Sequence, residues 1–304
     1  VTRARAEQTR IARRFAELTA RGEGALVPFI VAGDPDLQTT LRVMQALARA
    51  GADVIELGIP FSDPLADGPV NQAAYDRALR AGATVEGVLD LVGRFRARHV
   101  GAASRSRPDT AGGGCATSQC GFETPVVLMT YSNPVAQFGW QRFAEAAAQA
   151  GVDGVLLTDL PPEEAEAWLR HARAEGLDTI FLLAPTSPDE RIASVAELAT
   201  GYIYCVSRLG VTGARDQLPP DARALVERVR VVGAHGGAPE LPVVVGFGLS
   251  RPEQIRAVCE FADGAVVGSA LVELIARHAG AEDLEQVVEE FTAALKAATA
   301  PGAS

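Results

Sequence analysis

Lysine is nearly missing from this chain of 304 residues: Lys296 stands alone among 28 basic residues, and the rest are arginine. In a sequence crowded with alanine and glycine that bias reads as genomic base composition, and no function is assigned to it. Cysteine is sparse too. Cys115 and Cys120 lie in a glycine-rich stretch, and Cys205 and Cys259 in apolar strand or helix patterns, which is neither the density nor the spacing of a disulfide scaffold. No apolar run approaches the roughly 18 to 20 residues a membrane span needs. The first segment carries Arg3, Arg5, Arg10, Arg13 and Arg14 but no continuous apolar core, so no secretory signal is expected there. With a net charge of −10 and a pI near 5.0, nothing suggests the basic surface of a nucleic-acid binder. A soluble cytoplasmic protein is the expectation.

With 48% hydrophobic and 22% charged residues the chain can bury a full core. Ile11, Phe15 and Leu18 recur at helical spacing and predict a first helix over Ala4 to Ala20. Short apolar runs and helical stretches then alternate. Strands are expected at Leu26 to Ala32, Gly51 to Gly58, Val126 to Tyr131, Gly154 to Leu160, Thr179 to Ala184, Tyr202 to Ser207, Val243 to Phe247 and Gly264 to Val267, with helices between them. Eight βα units without a composition shift favour one (β/α)₈ TIM barrel across residues 1–304, with an extra N-terminal helix, over a doubly wound sheet. The first turn offers Gly33-Asp34-Pro35, not the Gly-x-Gly-x-x-Gly of a dinucleotide fold. Gly101 to Thr124 breaks the rhythm before the third strand. It is expected to be a mobile surface insertion opposite the active face, with Cys115 and Cys120 as free thiols, since no histidine or second cysteine pair accompanies them.

The chemistry concentrates around Val54 to Pro69. If Val54-Ile55-Glu56-Leu57 is extended, Glu56 and Val54 share the face opposite Ile55 and Leu57, which in a barrel is the interior. A carboxyl there is either satisfied by hydrogen bonds or held near neutral pKa for proton transfer, and the second makes Glu56 a site candidate. Asp63 and Asp67 follow on a proline-stiffened loop. Barrel enzymes often hold phosphate at the loops after strands seven and eight. Gly246 and Gly248 follow the seventh strand, Gly268 and Ser269 the eighth, and Gly210-Val211-Thr212-Gly213 the sixth, so a phosphate site is expected among them. His99, His171, His235 and His278 fall on helices or extensions, and none is chosen as a catalytic base.

Glu56-Leu-Gly-Ile-Pro-Phe-Ser-Asp-Pro-Leu-Ala-Asp-Gly-Pro69 closely resembles the signature of the tryptophan synthase alpha subunit family. Pro28-Phe29, Gly33-Asp34-Pro35, Met129 to Pro134, Ser207 to Gly213 and Gly246-Phe247-Gly248 follow in that family's order over nearly the whole chain. The departures are Gly101 to Thr124 and a smaller extension around Gly233 to Glu240, neither of which touches a motif residue.

The resemblance implies retro-aldol cleavage of indole-3-glycerol phosphate to indole and glyceraldehyde 3-phosphate, without metal or organic cofactor in this subunit. It implies Glu56 as the acid/base serving indole C3 and the glycerol hydroxyl. Asp67, expected to stay ionised, would accept from the indole N–H. Tyr204 would position the substrate and Glu56, and Phe29 would line the indole pocket; Met129 and Leu156 are expected as its apolar neighbours, packing either the core or the substrate. Thr212 would belong to a loop that folds over the site, and Gly213, Gly246, Gly248, Gly268 and Ser269 would hold phosphate. Asp63, Pro64, Asn133 and Pro134 are implied contacts for a beta subunit carrying pyridoxal phosphate, in an α₂β₂ heterotetramer. Two other readings stay open at this stage: a stand-alone lyase or other phosphometabolite enzyme, and a catalytically silent subunit that activates its partner.

Overall fold

The computed structural model describes residues 9–97, 122–206, 220–235, 240–246 and 248–301. It opens on α1 (Arg10–Arg21), formed where Ile11, Phe15 and Leu18 repeat on one face and all three are buried. Thr9 caps it, accepting from the Ala12 N–H at 3.1 Å.

Strands and helices then alternate: β1 (Ala25–Val31), α2 (Leu37–Arg49), β2 (Ile55–Gly58), α3 (Pro69–Arg80), α4 (Val85–Arg96), β3 (Val126–Thr130), α5 (Ser132–Phe138), α6 (Trp140–Ala150), β4 (Gly154–Leu157), α7 (Glu166–Glu175), β5 (Asp178–Leu183), α8 (Asp189–Leu198), β6 (Ile203–Val206), α9 (Pro220–His235), β7 (Val243–Gly246), α10 (Pro252–Cys259), β8 (Gly264–Val267), α11 (Ser269–Arg277) and α12 (Leu284–Ala297). Each strand pairs in parallel with the next, and β8 returns to β1, so the sheet closes without an edge. This is the (β/α)₈ barrel that the alternation predicts.

Strand alternation divides the core. Ile30, Ile55, Leu57 and Leu128 pack outward under the helices, and Val27, Phe29, Val54, Val127, Leu156 and Val244 fill the interior. Glu56 pairs in register with Phe29 on β1 and Val127 on β3, which sets it in an inward layer.

Aspartates tie down the N-terminal end of the barrel. Asp53, Asp153 and Asp263 precede β2, β4 and β8, and each accepts an N–H from the first two residues of a neighbouring strand: Leu26 at 2.6 Å, Val126 at 2.8 Å and Val243 at 2.8 Å. Arg14 and Lys296 neutralise Asp53, and Arg10 and Arg96 neutralise Asp153. Because Arg10 and Arg14 belong to α1, these pairs seat the helix as a plug, with Phe15 against Tyr202 at 5.9 Å between ring centroids. Lys296, unassigned from sequence, is therefore a floor residue. Among the described residues Asp178 has no such cation, and burial pushes its carboxyl up to about 6.

Differences from the predicted elements are local. The strands begin or end within a few residues of expectation, apart from β2, which begins at Ile55 where Gly51 was expected. Helix α5 is unforeseen, because Asn133-Pro134 reads as a loop. Proline is tolerated there since first-turn N–H groups have no intrahelical acceptor. Helix α9 continues through His235, so part of the supposed extension at Gly233 is helical. The Gly101 to Thr124 insertion, with Cys115 and Cys120, lies almost wholly outside the described residues. Its described end sits at the barrel's N-terminal face, where Phe122 stacks on Phe95 at 4.9 Å and Arg96 donates to the Phe122 and Thr124 carbonyls. Among the described residues no helix is long and apolar enough to cross a membrane.

Candidate active site

Glu56 lies fully buried on β2, facing the interior as its alternation predicts. Tyr202, just before β6, donates its hydroxyl to Glu56 Oε1 at 2.6 Å, and Oε2 has no hydrogen-bond partner among the described residues. Burial pushes the carboxyl up to about 7, and the tyrosine hydrogen bond pulls the other way and loses. Glu56 therefore populates both protonation states near neutral pH. Half of its carboxyl is anchored and half is free to reach a ligand.

The resemblance has Tyr204 positioning this glutamate, but the hydrogen bond comes from Tyr202, the preceding residue of the same face. Two residues along a strand is a step of roughly 7 Å, enough to move the next ring out of reach. Tyr204 lies over Gly246 instead: a Cβ there would come within 2.8 Å of the tyrosine ring and collide with its hydroxyl. Gly246 thus makes room for an aromatic ring, a job that phosphate binding does not require. Removing the anchor has a signed consequence. In Tyr202→Phe the Glu56 titration midpoint should rise further above about 7, followed by infrared or carbon NMR of the carboxyl. An unmoved midpoint would show that the hydrogen bond does not set it.

Asp67 sits at the end of the loop between β2 and α3, half-buried. Its Oδ2 accepts from Tyr131 at 2.7 Å and its Oδ1 from Asn71 at 3.2 Å. Tyr131 also accepts the Ala66 N–H at 3.0 Å and packs on Phe61 with centroids 5.1 Å apart, so it latches the loop to the end of β3. Burial raises the Asp67 carboxyl, partly offset by those two donors. A freely solvated loop acid would not show this. Burial disfavours the ionised form here, and the hydrogen bonds from Tyr131 and Asn71 oppose that only in part.

Phe29, Met129 and Leu156 line the same interior, with Met129 and Leu156 in register on β3 and β4. Gly268 caps α11 beside the Phe29 ring, and Ser269 opens that helix, whose first N–H groups have no intrahelical acceptor. Gly248 adopts φ +67°, a conformation only glycine holds easily. Thr212 and Gly213 lie outside the described residues. Asp63 is exposed and Pro64 half-buried on the loop that carries Asp67, and Asn133 is exposed and Pro134 half-buried in the first turn of α5, directly after β3. Among the described residues no group of three or more His, Cys, Asp or Glu side chains could hold a metal ion.

Two site residues have no role in the sequence reading. Tyr131 falls inside the Met129 to Pro134 motif, at the end of a strand where barrel chemistry collects. Tyr202 shares parity with Tyr204. Those were the available signals, and neither says which hydroxyl reaches which carboxyl.

A sequence profile described as tryptophan synthase alpha chain matches residues 15–102 and 115–300, and its interruption falls within the insertion. The tryptophan synthase alpha chain of Citrifermentans bemidjiense is 51% identical over 288 residues, 95% of this chain and 97% of that protein. That of Burkholderia pseudomallei is 46% identical over 298 residues, 97% of this chain and 100% of the other. Among solved structures, the tryptophan synthase alpha chain from Legionella pneumophila superposes with a TM-score of 0.78 at 36% identity, covering 98% and 99% of the two chains. A Mycobacterium tuberculosis tryptophan synthase structure gives 0.80 at 33% identity, covering 97% and 99%.

Proposed function

Because the chain belongs to the tryptophan synthase alpha chain family, which cleaves indole-3-glycerol phosphate, we propose that Glu56 and Asp67 divide the acid–base work of that cleavage. Protonated Glu56 delivers a proton to indole C3, giving an indolenine with positive charge on nitrogen. Glu56, now a carboxylate, takes the proton of the hydroxyl on the adjacent chain carbon. The carbon–carbon bond breaks, its electron pair returns to the ring, and glyceraldehyde 3-phosphate and indole separate. Asp67 accepts from the indole N–H and stabilises the positive charge. The observation that carries this reading is the buried Glu56 carboxyl, with one oxygen held by Tyr202, the other free, and a pKa of about 7.

Phe29, Met129 and Leu156 pack the indole ring, and Tyr204 and Thr212 close around the substrate. The phosphate lies against Gly213, Gly246, Gly248, Gly268 and Ser269, where the free N–H groups of α11 favour an anion. The family works with a beta chain. In our reading Asp63, Pro64, Asn133 and Pro134 face it in a cytoplasmic α₂β₂ assembly, and pyridoxal phosphate is confined to the beta chain. Leu65 between them is 86% exposed, as an unpartnered contact residue would be.

Indole release from indole-3-glycerol phosphate, followed with and without a beta chain, tests the reading. The wild-type chain should release indole in both cases, and Asp67→Asn should lose roughly 100-fold or more. Association with the beta chain without any indole release would instead identify a silent activating subunit.

A further inference from the structure

Helix α3 brings one polar group to the site that the proposed chemistry leaves unused. Tyr75 is 1% exposed and packs in the interior cluster with Phe29 and Val54, yet among the described residues its hydroxyl has no hydrogen-bond partner. Buried hydroxyls are nearly always partnered, so this one can donate to an acceptor that the described residues do not supply. Phenylalanine would fill the same volume without that unmet demand.

The position of the hydroxyl is read from Gly58, which closes β2 two residues after Glu56 and so points to the same interior. A Cβ at Gly58 would lie 3.0 Å from Tyr75 Oη and 2.9 Å from Phe29 Cζ. The Tyr75 oxygen therefore occupies the space that an inward side chain would take one layer above Glu56, toward the open end of the barrel. One strand repeat separates the layers by roughly 7 Å. A single oxygen hydrogen-bonded to two partners spans up to about 5.5 Å between them, the scale of that gap once the glutamate side chain reaches across it. Glu56 Oε2 is also without a partner among the described residues, and Glu56 is near enough to Tyr75 to act on its ionisation.

We infer that Tyr75 is a substrate-binding residue whose O–H donates to the chain hydroxyl oxygen that Glu56 deprotonates. The inference rests on the proposed role of Glu56, which requires that oxygen within hydrogen-bond reach of its carboxyl. Tyr75 keeps its own proton throughout. The hydroxyl proton passes to Glu56, the oxygen gains negative charge as it becomes a carbonyl, and a fixed donor in a dry site stabilises that charge as it develops. Burial, with Asp67, Tyr131 and Glu56 close enough to disfavour a phenolate, holds the tyrosine well above its ordinary range, so it is a donor and not a base.

Tyr75→Phe removes one oxygen and keeps the ring. For indole-3-glycerol phosphate cleavage kcat/KM should fall about 10- to 100-fold, mostly in kcat, with no loss in thermal midpoint. Inhibition by indole-3-propanol phosphate, which keeps the ring and phosphate but has no chain hydroxyl, should stay within about twofold of wild type, because the lost bond was made to an oxygen that it lacks. Activity within about twofold of wild type would overturn the inference, as would equal weakening toward the propanol analogue. Glu56→Gln measured alongside separates the two proposals: if it too leaves turnover intact, the acid–base reading fails. If it abolishes turnover while Tyr75→Phe does not, only the role of Tyr75 fails.

Discussion

Glu56→Gln should leave a folded protein that no longer releases indole, with kcat down roughly 100- to 10,000-fold. Glutamine keeps the shape and can still accept from Tyr202, but it cannot carry a proton between hydroxyl and C3. The same substitution should make the protein more stable above neutral pH. Below the ordinary value of 4.5 the folded and unfolded chains both hold the proton, and the wild type has no disadvantage. As pH climbs from there toward about 7, the unfolded chain releases its proton while buried Glu56 retains it, so wild-type stability falls. Above the folded-state value both are ionised and the deficit levels at about 3 kcal/mol. Denaturant unfolding at pH 4 and pH 8 reads this directly: the variant and wild type should match at the acid end and diverge at the alkaline end. Parallel curves, or a kcat loss below about tenfold, would remove Glu56 from the centre of the mechanism.

Asp53→Ala should be among the most destabilising single changes available, although Asp53 touches no part of the site. The carboxyl is fully buried and satisfies three groups at once: the Leu26 N–H at 2.6 Å, Arg14 at 2.6 Å and Lys296 at 2.9 Å. Truncation leaves one backbone donor unpaired and takes from Arg14 and Lys296 their buried partner, leaving them only the more exposed Glu17 and Glu23. Arg14 and Lys296 retain 27% and 18% side-chain exposure, so water relieves part of the penalty and the loss should sit near the low end of the buried-pair range, about 3 kcal/mol. Lys296→Met leaves Asp53 bound to Arg14 and Leu26 and should cost roughly half as much. Urea unfolding at neutral pH distinguishes them. Equal losses would mean that the lysine, and not the shared carboxylate, organises the floor.

These expectations separate two kinds of information. The barrel was legible because apolar periodicity is a local property: two-residue alternation in Val54 to Leu57 already assigned Glu56 to the interior, and eight such runs between helices leave few ways to close a sheet. The Glu56 to Pro69 motif named the family, and the late glycines marked the strand ends where an anion could lie. Helix α5 escaped because a proline in the first turn looks the same as a proline in a loop. The sole lysine escaped because its partner, Asp53, lies 243 positions away.

Glu56 as an interior acid, Asp67 on a stiffened loop and the parallel barrel that joins them were determined by the sequence, since chain-local alternation and turn chemistry suffice for each. Which hydroxyl meets which carboxyl was decided only by the tertiary structure. Tyr202 rather than Tyr204 reaches Glu56, Tyr131 latches Asp67, and the Tyr75 hydroxyl, without a partner among the described residues, stands against Gly58. The difference is physical: facing is set by strand parity within a few residues. A hydrogen bond needs two atoms from different strands or helices placed within a few tenths of an ångström, and only the closure of the barrel supplies that register.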